Sequence, residues 1–462
     1  MKSSPADSKS KVISGAWWDC TQPDQRWPGE LLVDEKGNCR LELKTIALKD
    51  VAELPKIEDG FESRTFHGHD EHGRAYSLFG CVSNGSSHST ARVTQTRTVH
   101  CVVVGMRAAS LDDVTFDEVW LDYTDLQEWL CTPLIREEHP GVPGKIILNV
   151  MPDVPRVLTS SRGYELRFTP VIGGGSSMAG VSHNQKQQLS LRFERPISLR
   201  ALQPIILELQ WFLTLGRGEP VQVLRLDGLQ KEVTFGENKI PERIDVWTRW
   251  AGSDMETSAQ TRWNMLFTAE DLGTELGLIL ERWHDYREKH SAVMSSYFST
   301  RFNRHLYANH RFLFLAHALE LYHQLNFDGA NQPAAEFAAR VDRIAKAVPE
   351  EAEWIRQRLA GANRKTLADR LHQLLEAKSA LLGDLIGERT AFVSSVRDTR
   401  NYYTHYDERL RQKGRVAEGI ALMKMTNQMR SILEACFLDD LGAPKRAVTR
   451  VLQDDRTYVA GP

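Results

Sequence analysis

The spacing of apolar residues changes period once along this chain, between about residues 250 and 268, and no other feature limits the fold as strongly. Before that point, short alternating or apolar runs occur at 29–34, 39–46, 75–82, 92–104, 115–123, 145–150, 164–171, 189–193, 221–226 and 240–247. Turn-forming clusters such as Asp34-Glu35-Lys36-Gly37-Asn38 and Ser83-Asn84-Gly85-Ser86-Ser87 separate them. That pattern predicts a sandwich or barrel-like β domain. It is interrupted by one helix over 198–215, where Leu202, Ile205, Leu209, Phe212 and Leu213 repeat at helical spacing. Pro204 either kinks this helix or marks its true start. From 268 the period is helical, with helices predicted over 268–287, 291–300, 304–326, 333–347, 350–360, 364–376, 378–401 and 415–437. Asp271, Glu350 and Glu351 fall in first turns, where the helix dipole favours an acid. The expected fold is α+β: a β-rich, sandwich-like domain over 1–255, then an all-α bundle over 256–462. The polar stretch Gly252-Ser253-Asp254-Met255-Glu256-Thr257-Ser258 serves as the linker.

At 462 residues the chain exceeds one ordinary core, which agrees with two domains. It has no run of eighteen apolar residues, and its first nine residues are polar with no apolar signal core. A cytoplasmic protein that does not span a membrane is the expectation. Cys20, Cys39, Cys81, Cys101, Cys131 and Cys436 lie far apart with no Cys-x-x-Cys pair, as buried reduced thiols would. The net charge of −3 advertises no nucleic-acid partner. Near the C-terminus, however, Arg389, Arg397, Arg400, Arg409, Arg411, Lys413 and Arg415 outnumber Glu388, Asp398, Asp407 and Glu408. Such a run is either a solvated helix face or a phosphate-facing patch.

Those cations bracket Arg400-Asn401-Tyr402-Tyr403-Thr404-His405, an Arg-Asn-x-x-x-His element. Arginine grips phosphate with a planar fork and histidine moves protons near neutral pH, a minimal kit for cutting RNA without a metal. Helical spacing in Phe392, Val393 and Val396 ahead of it, and the polar Asp407-Glu408-Arg409 behind it, place it near a helix end. In an unbroken helix, five residues turn the chain by about 500°, leaving the two side chains about 140° apart. Convergence then needs either a fray at Tyr402-Tyr403-Thr404, a poor helix run, or a composite site from two subunits. A purely structural role would instead pair Arg400 with Asp398 or Glu320 and use His405 as a cap.

The C-terminal part resembles the HEPN superfamily, whose ribonucleases carry Arg-x(4–6)-His, often with Asn after the Arg, as in Arg400, Asn401 and His405. The segment from Arg311 to His323 is similar to the second-helix signature of the ApeA-like HEPN branch, with Glu320 on a leucine-rich helix. Gly15-Ala16-Trp17-Trp18, Pro28-Gly29-Glu30-Leu31-Leu32, His67-Gly68 and Tyr76-Ser77-Leu78-Phe79-Gly80 resemble the ApeA N-terminal domain. The resemblance implies a bacterial abortive-infection endoribonuclease that acts on tRNA, in the anticodon region, when a phage-derived protein triggers it. It implies a homodimer or larger homo-oligomer, no DNA partner, no cofactor and no metal. His405 would be the general acid or base, Arg400 would hold the phosphate, and Asn401 would orient it or cap the helix. Glu320 and Arg397 would support the site, and Tyr403 and Tyr406 would stack on bases or pack. The β domain would sense and regulate. The alternative is a non-catalytic dimerisation scaffold with a ligand- or peptide-binding β domain.

His67, His69 and His72 with Asp70 and Glu71 invite a metal reading, but their spacing matches no closed site, and an exposed hairpin turn suits them better. Gly173-Gly174-Gly175-Ser176-Ser177 lacks the Gly-Lys-Ser/Thr ending of a phosphate loop and reads as a flexible hairpin. No Gly-x-Ser-x-Gly and no His-Glu-x-x-His is present. Trp17, Trp18, Trp120, Trp129 and Trp211 suit a β core.

Overall fold

The computed structural model describes residues 10–34, 37–45, 63–88, 93–132, 135–141, 147–150, 156–160, 162–177, 180–235, 238–250, 258–303 and 305–453. The polar tail over 1–9 and all but the last residue of the linker stretch 252–258 lie outside them. Two compact units are present, Met1–Glu270 and Asp271–Pro462.

The first unit carries β1 (Lys11–Asp19), β2 (Trp27–Val33), β3 (Cys39–Thr45), β4 (Arg64–Asp70), β5 (Ala75–His88), β6 (Val93–Val99), β7 (Cys101–Val104) and β8 (Thr115–Tyr123). The short helix α1 (Leu126–Leu130) follows, then β9 (Ile135–Glu138), β10 (Ile147–Val150), β11 (Arg156–Ser160), β12 (Tyr164–Ser177) and β13 (Gly180–Ser198). Helix α2 (Leu199–Arg217), β14 (Val223–Phe235) and β15 (Asn238–Thr248) complete it. Thirteen strands form one sheet in the order β11-β12-β13-β8-β14-β15-β7-β5-β4-β1-β2-β3-β6, and β9 pairs with β10 alone. Because β5 also pairs with β6, the six strands β5-β4-β1-β2-β3-β6 close on themselves as a barrel. Closure removes two sheet edges that would otherwise present unpaired backbone groups.

The separated N-terminal motifs meet in this barrel. Trp17 lies opposite Trp27 on one side and Gly68 on the other, while Gly15 lies opposite Gly29. A Cβ at Gly68 would come within 2.1 Å of the Trp17 ring, and one at Gly29 within 3.0 Å of it. Gly68 is there because the indole occupies its side-chain space, and Gly29 chiefly because the Glu42 carbonyl would lie 2.4 Å from its Cβ. Tyr76 meets the same ring edge-on at 5.6 Å.

Helix α2 starts five residues before Pro204, capped by the Ser198 hydroxyl, which accepts from the Ala201 N–H. Pro204 is therefore interior and not the start. Gly173 to Ser177 extends β12, in register with residues 180 to 184 of β13, so the glycine run is the far arm of a hairpin. Cys39, Cys81, Cys101 and Cys436 are buried free thiols pushed up to about 12, chiefly by burial.

The helical elements begin with α3 (Ala269–Leu272), α4 (Leu276–Lys289), α5 (Ser291–Phe302), α6 (Ala308–Asn326), α7 (Ala334–Ala347) and α8 (Ala352–Leu359). They continue with α9 (Leu367–Ala377), α10 (Ser379–Leu382), α11 (Arg389–His405), α12 (Glu408–Gln412), α13 (Gly419–Asp440) and α14 (Lys445–Leu452). The helix expected over 378–401 is two helices, because Gly383 at φ +53° and Gly387 at φ +67° turn the chain between them. Helix α14, just after Pro444, was not anticipated from the sequence. The core gathers Trp283, Tyr297, Phe298, Phe312, Tyr322 and Phe437. A β-rich region followed by an all-helical one is the fold class the sequence indicated.

Candidate active site

The motif sits on α11. Glu388 caps the helix by accepting from the N–H groups of Thr390 and Ala391. Phe392, Val393, Val396, Thr399 and Tyr402 form its buried stripe, and this fixes which face carries Arg400 and His405. The helix runs through Tyr402-Tyr403-Thr404 without a break and reaches His405. It stops at Tyr406, left-handed at φ 52°, whose N–H donates to the Tyr402 carbonyl at 2.5 Å. The expected fray is absent. Aromatic packing outweighs the weak propensity there: Tyr402 meets Tyr403 at 5.1 Å and Tyr406 at 5.7 Å, and Tyr403 meets Phe312 of α6 at 6.3 Å. Arg400 and His405 therefore stay five residues apart on one continuous helix and diverge by about 140°.

Arg400 is partly exposed and faces Glu320 on α6, with Nη2 4.0 Å from Oε2. Its Nη1 donates to the Asn401 side-chain oxygen at 3.3 Å, so Asn401 steadies the guanidinium in the unliganded protein. The other Glu320 oxygen lies 4.0 Å from Nη1 of Arg370 on α9. Arg370 is itself fixed, donating to the carbonyls of Lys365 at 3.1 Å and Glu320 at 3.4 Å. One carboxylate thus sits between two guanidiniums from different helices. Sequence reasoning missed Arg370. Its signal was the Thr366–Asp369 capping box, which starts α9 and sets Arg370 beside the buried Leu367, Leu371 and Leu374.

His405 and Tyr406 are exposed, Tyr406 at 64%, so both are accessible at the helix end. Tyr403 is half-buried against Phe312, and burial raises its phenol above the ordinary range. Tyr403 thus packs on α6, whereas Tyr406 touches Tyr402 edge-on and is otherwise exposed. Arg397 donates to Asp398 at 2.8 Å, which raises its pKa and commits much of its charge. The second Asp398 oxygen lies 3.9 Å from Arg415, and the Thr399 hydroxyl accepts from the Ala417 N–H at 2.9 Å. Together they hold the chain after α12 against α11. Arg409 pairs with Asp407, and Arg411 with Glu408 and Glu418. Most of the local cations are thus matched to acids.

Three residues from Glu320 on α6, His323 is fully buried. Its Nε2 is 2.8 Å from the Gln373 side-chain oxygen, and its ring stacks on Phe327 at 5.1 Å. Burial first, then Arg370 and Lys365 nearby, hold its pKa below the ordinary imidazole range despite the Gln373 bond.

In the first unit, His67 to Gly73 runs from β4 into a tight turn before β5, as a hairpin reading required. Asp70 organises the turn, accepting from the N–H groups of His72 and Arg74 and from the Tyr76 hydroxyl. Among the described residues, no three His, Cys, Asp or Glu side chains gather in a way that would hold a metal ion. None of the described helices is long and apolar enough to cross a membrane.

Comparison with known families gives two matches. The description Apea-like HEPN matches residues 313–447, which include Glu320, Arg370, Arg400 and His405. The description ApeA N-terminal domain 1 matches residues 12–283, well over half of the chain, including Trp17, Gly68 and the whole barrel. No curated protein and no solved structure matches. With the ApeA N-terminal match spanning the β unit and the HEPN match the motif-bearing helices, the chain belongs to the ApeA family and carries an ApeA-like HEPN domain.

Proposed function

We propose that the protein is a metal-independent endoribonuclease of bacterial anti-phage abortive infection, acting in the cytoplasm on tRNA, in the anticodon region, once a phage-derived protein triggers it. In this reading the β unit, 1–255 by sequence, senses the trigger and the helical part, 256–462, cuts. The observation that carries it is the end of α11, whose last turns carry a partly exposed Arg400, Asn401 and an exposed His405. The 2′-hydroxyl attacks the neighbouring phosphorus, the P–O5′ bond breaks, and the products are a 2′,3′-cyclic phosphate and a 5′-hydroxyl. The His405 imidazole takes the 2′ proton as base, and an imidazolium, the one so formed or that of a second copy, supplies a proton to the departing 5′ oxygen as acid. Arg400 binds the charge gathering on the phosphate oxygens, with Asn401 orienting one of them.

Divergence of Arg400 and His405 on one helix favours a site shared by two copies of the chain. The start of α13 supports a partner surface: Ile420 is 72% exposed, with Val416 and Met423 half-buried, whereas Ile432 and Leu433 are fully buried in the core. A two-fold dimer would set two motifs face to face.

The test is purified full-length protein with bacterial tRNA, an extract of phage-infected cells as the source of the trigger and excess EDTA, with RNA ends sequenced. Cleavage that leaves cyclic phosphates, lost in His405→Ala, is expected. Mixing Arg400→Ala with His405→Ala should restore part of the activity if the site is shared. Undiminished cleavage by folded His405→Ala would refute the assignment, and a scaffold reading would take its place if the unaltered protein cuts no RNA.

A further inference from the structure

The histidine pair of β4 is left over by the ribonuclease reading, and it lies beside an arrangement of its own. Trp18 lies directly opposite His67 in the β1–β4 ladder and opposite Ala16's neighbour His69 by one diagonal step, so all three side chains share one face of the barrel. The His67 ring meets the Trp18 ring edge-on at 6.3 Å, and the His69 ring lies 5.8 Å away. Two guanidiniums complete the cluster. Arg26 lies 4.7 Å and Arg107 5.2 Å from the centre of the same indole. Four groups able to carry positive charge thus surround one ring that is 3% exposed.

What sets the cluster apart is that its charge is not matched. Among the described residues neither arginine has a carboxylate partner, and the one hydrogen bond of Arg26 goes to the Pro23 carbonyl at 3.4 Å. Two acids on the neighbouring strands are used elsewhere. Asp19 accepts from Thr21 and Arg64, and Asp70 is taken up by the turn. Both arginines are exposed at the surface while their guanidiniums are held over the indole, which orders the charge in advance of a ligand. Each imidazole has one nitrogen turned to a backbone carbonyl: His67 Nε2 to Ala108 at 2.9 Å and His69 Nδ1 to Asp70 at 3.3 Å. The remaining nitrogens are available to a ligand.

We propose that this face of the barrel binds the phosphate dianion of a small phosphorylated molecule, with Arg26 and Arg107 gripping its oxygens and His67 and His69 contributing hydrogen bonds. Planar guanidiniums match phosphate oxygens in pairs, and two of them balance a dianion. A nucleic-acid backbone is the less suitable occupant, because it needs a cationic stripe. Here the flanking chain is acidic, with Asp24, Glu71, Asp112 and Asp113 close by in sequence. The site is in the β unit and does not depend on the ribonuclease chemistry.

The test is calorimetric titration of the full-length protein with inorganic phosphate, ribose 5-phosphate, adenosine monophosphate, adenosine and a single-stranded RNA oligomer without terminal phosphates. The three phosphates should bind and adenosine should not. Arg26→Gln and Arg107→Gln should each weaken phosphate binding by about tenfold, the loss expected for one charge-assisted hydrogen bond. Arg40→Gln, an exposed cation on β3, should leave it unchanged, and thermal melts should show that all three variants fold. Adenosine binding as well as its phosphate, no loss in either variant, or binding of the RNA oligomer alone would each overturn the proposal.

Discussion

Two arginines of the helical unit show how the same side chain serves opposite ends. Arg301 on α5 is buried with its side chain 3% exposed, ion-paired to the fully buried Glu434 of α13. Tyr297 donates to the same Glu434 oxygen at 2.5 Å, and Arg301 Nε donates to the Tyr297 hydroxyl at 3.0 Å. Arg400 on α11 is 36% exposed in its side chain and meets Glu320 only at 4.0 Å. A buried pair tolerates no vacancy, because removing one partner strands a charge away from water. A loose, half-exposed pair leaves its cation able to exchange a carboxylate for a phosphate. The first arrangement holds the bundle together, and the second is poised for a ligand.

Substitutions should separate the two roles, and the largest effect belongs to the exposed arginine. Arg400→Ala should slow RNA cleavage by about 10²–10³-fold, the loss typical of a group that stabilises developing charge. Its urea midpoint should stay close to that of the unaltered protein. A large loss of stability with little loss of cleavage would reverse the contrast.

Arg301→Ala should behave the other way. It should cost about 3–5 kcal/mol of stability by leaving the buried Glu434 with only the looser Arg430 pair at 3.8 Å, read from denaturant unfolding of the helical transition. If Arg301→Met with Glu434→Leu and Arg430→Met, which removes all three charges, recovers most of that loss, the cost lies in the stranded charge and not in lost packing. Failure of that triple variant to recover any stability would place the cost in packing.

His323 lies between the two regions in kind, buried like Arg301 yet on the helix that carries Glu320. Its folded pKa is depressed, so as pH falls the unfolded chain binds the proton first. Stability is therefore full above the ordinary imidazole value of about 6.5 and declines as pH falls below it. The urea midpoint should drop between pH 7.5 and pH 5, and His323→Gln should flatten part of that drop. An identical pH profile in the variant would remove His323 from the account.

Glu320→Gln should have the smallest effect. With both guanidiniums 4.0 Å away, the change in stability should stay within about 1 kcal/mol. Cleavage should change several-fold, mostly in KM, because Arg400 and Arg370 lose the anion between them. A stability loss as large as that of Arg301→Ala would show that Glu320 belongs to the core and not to the site.

By itself the sequence determined the division into β and helical regions, since periods of 2.0 and 3.6 are properties of neighbouring residues. It also determined the motif, since Arg400, Asn401 and His405 lie within six residues and their chemistry follows from their types. Local propensity left two places open. Tyr402-Tyr403-Thr404 looked like a weak helix run, and contact with Phe312 holds it helical. Pro204 allowed either a kink or a later start, and the cap at Ser198 puts the start where the apolar spacing over 198–215 had it. Only the tertiary structure decided the rest. Barrel closure through the β5–β6 pairing, Gly68 making room for Trp17, and Arg370 reaching Glu320 from α9 join residues far apart in the chain. Such contacts leave no periodic trace, because the partner that makes each residue necessary lies on another element, and only packing brings the two together.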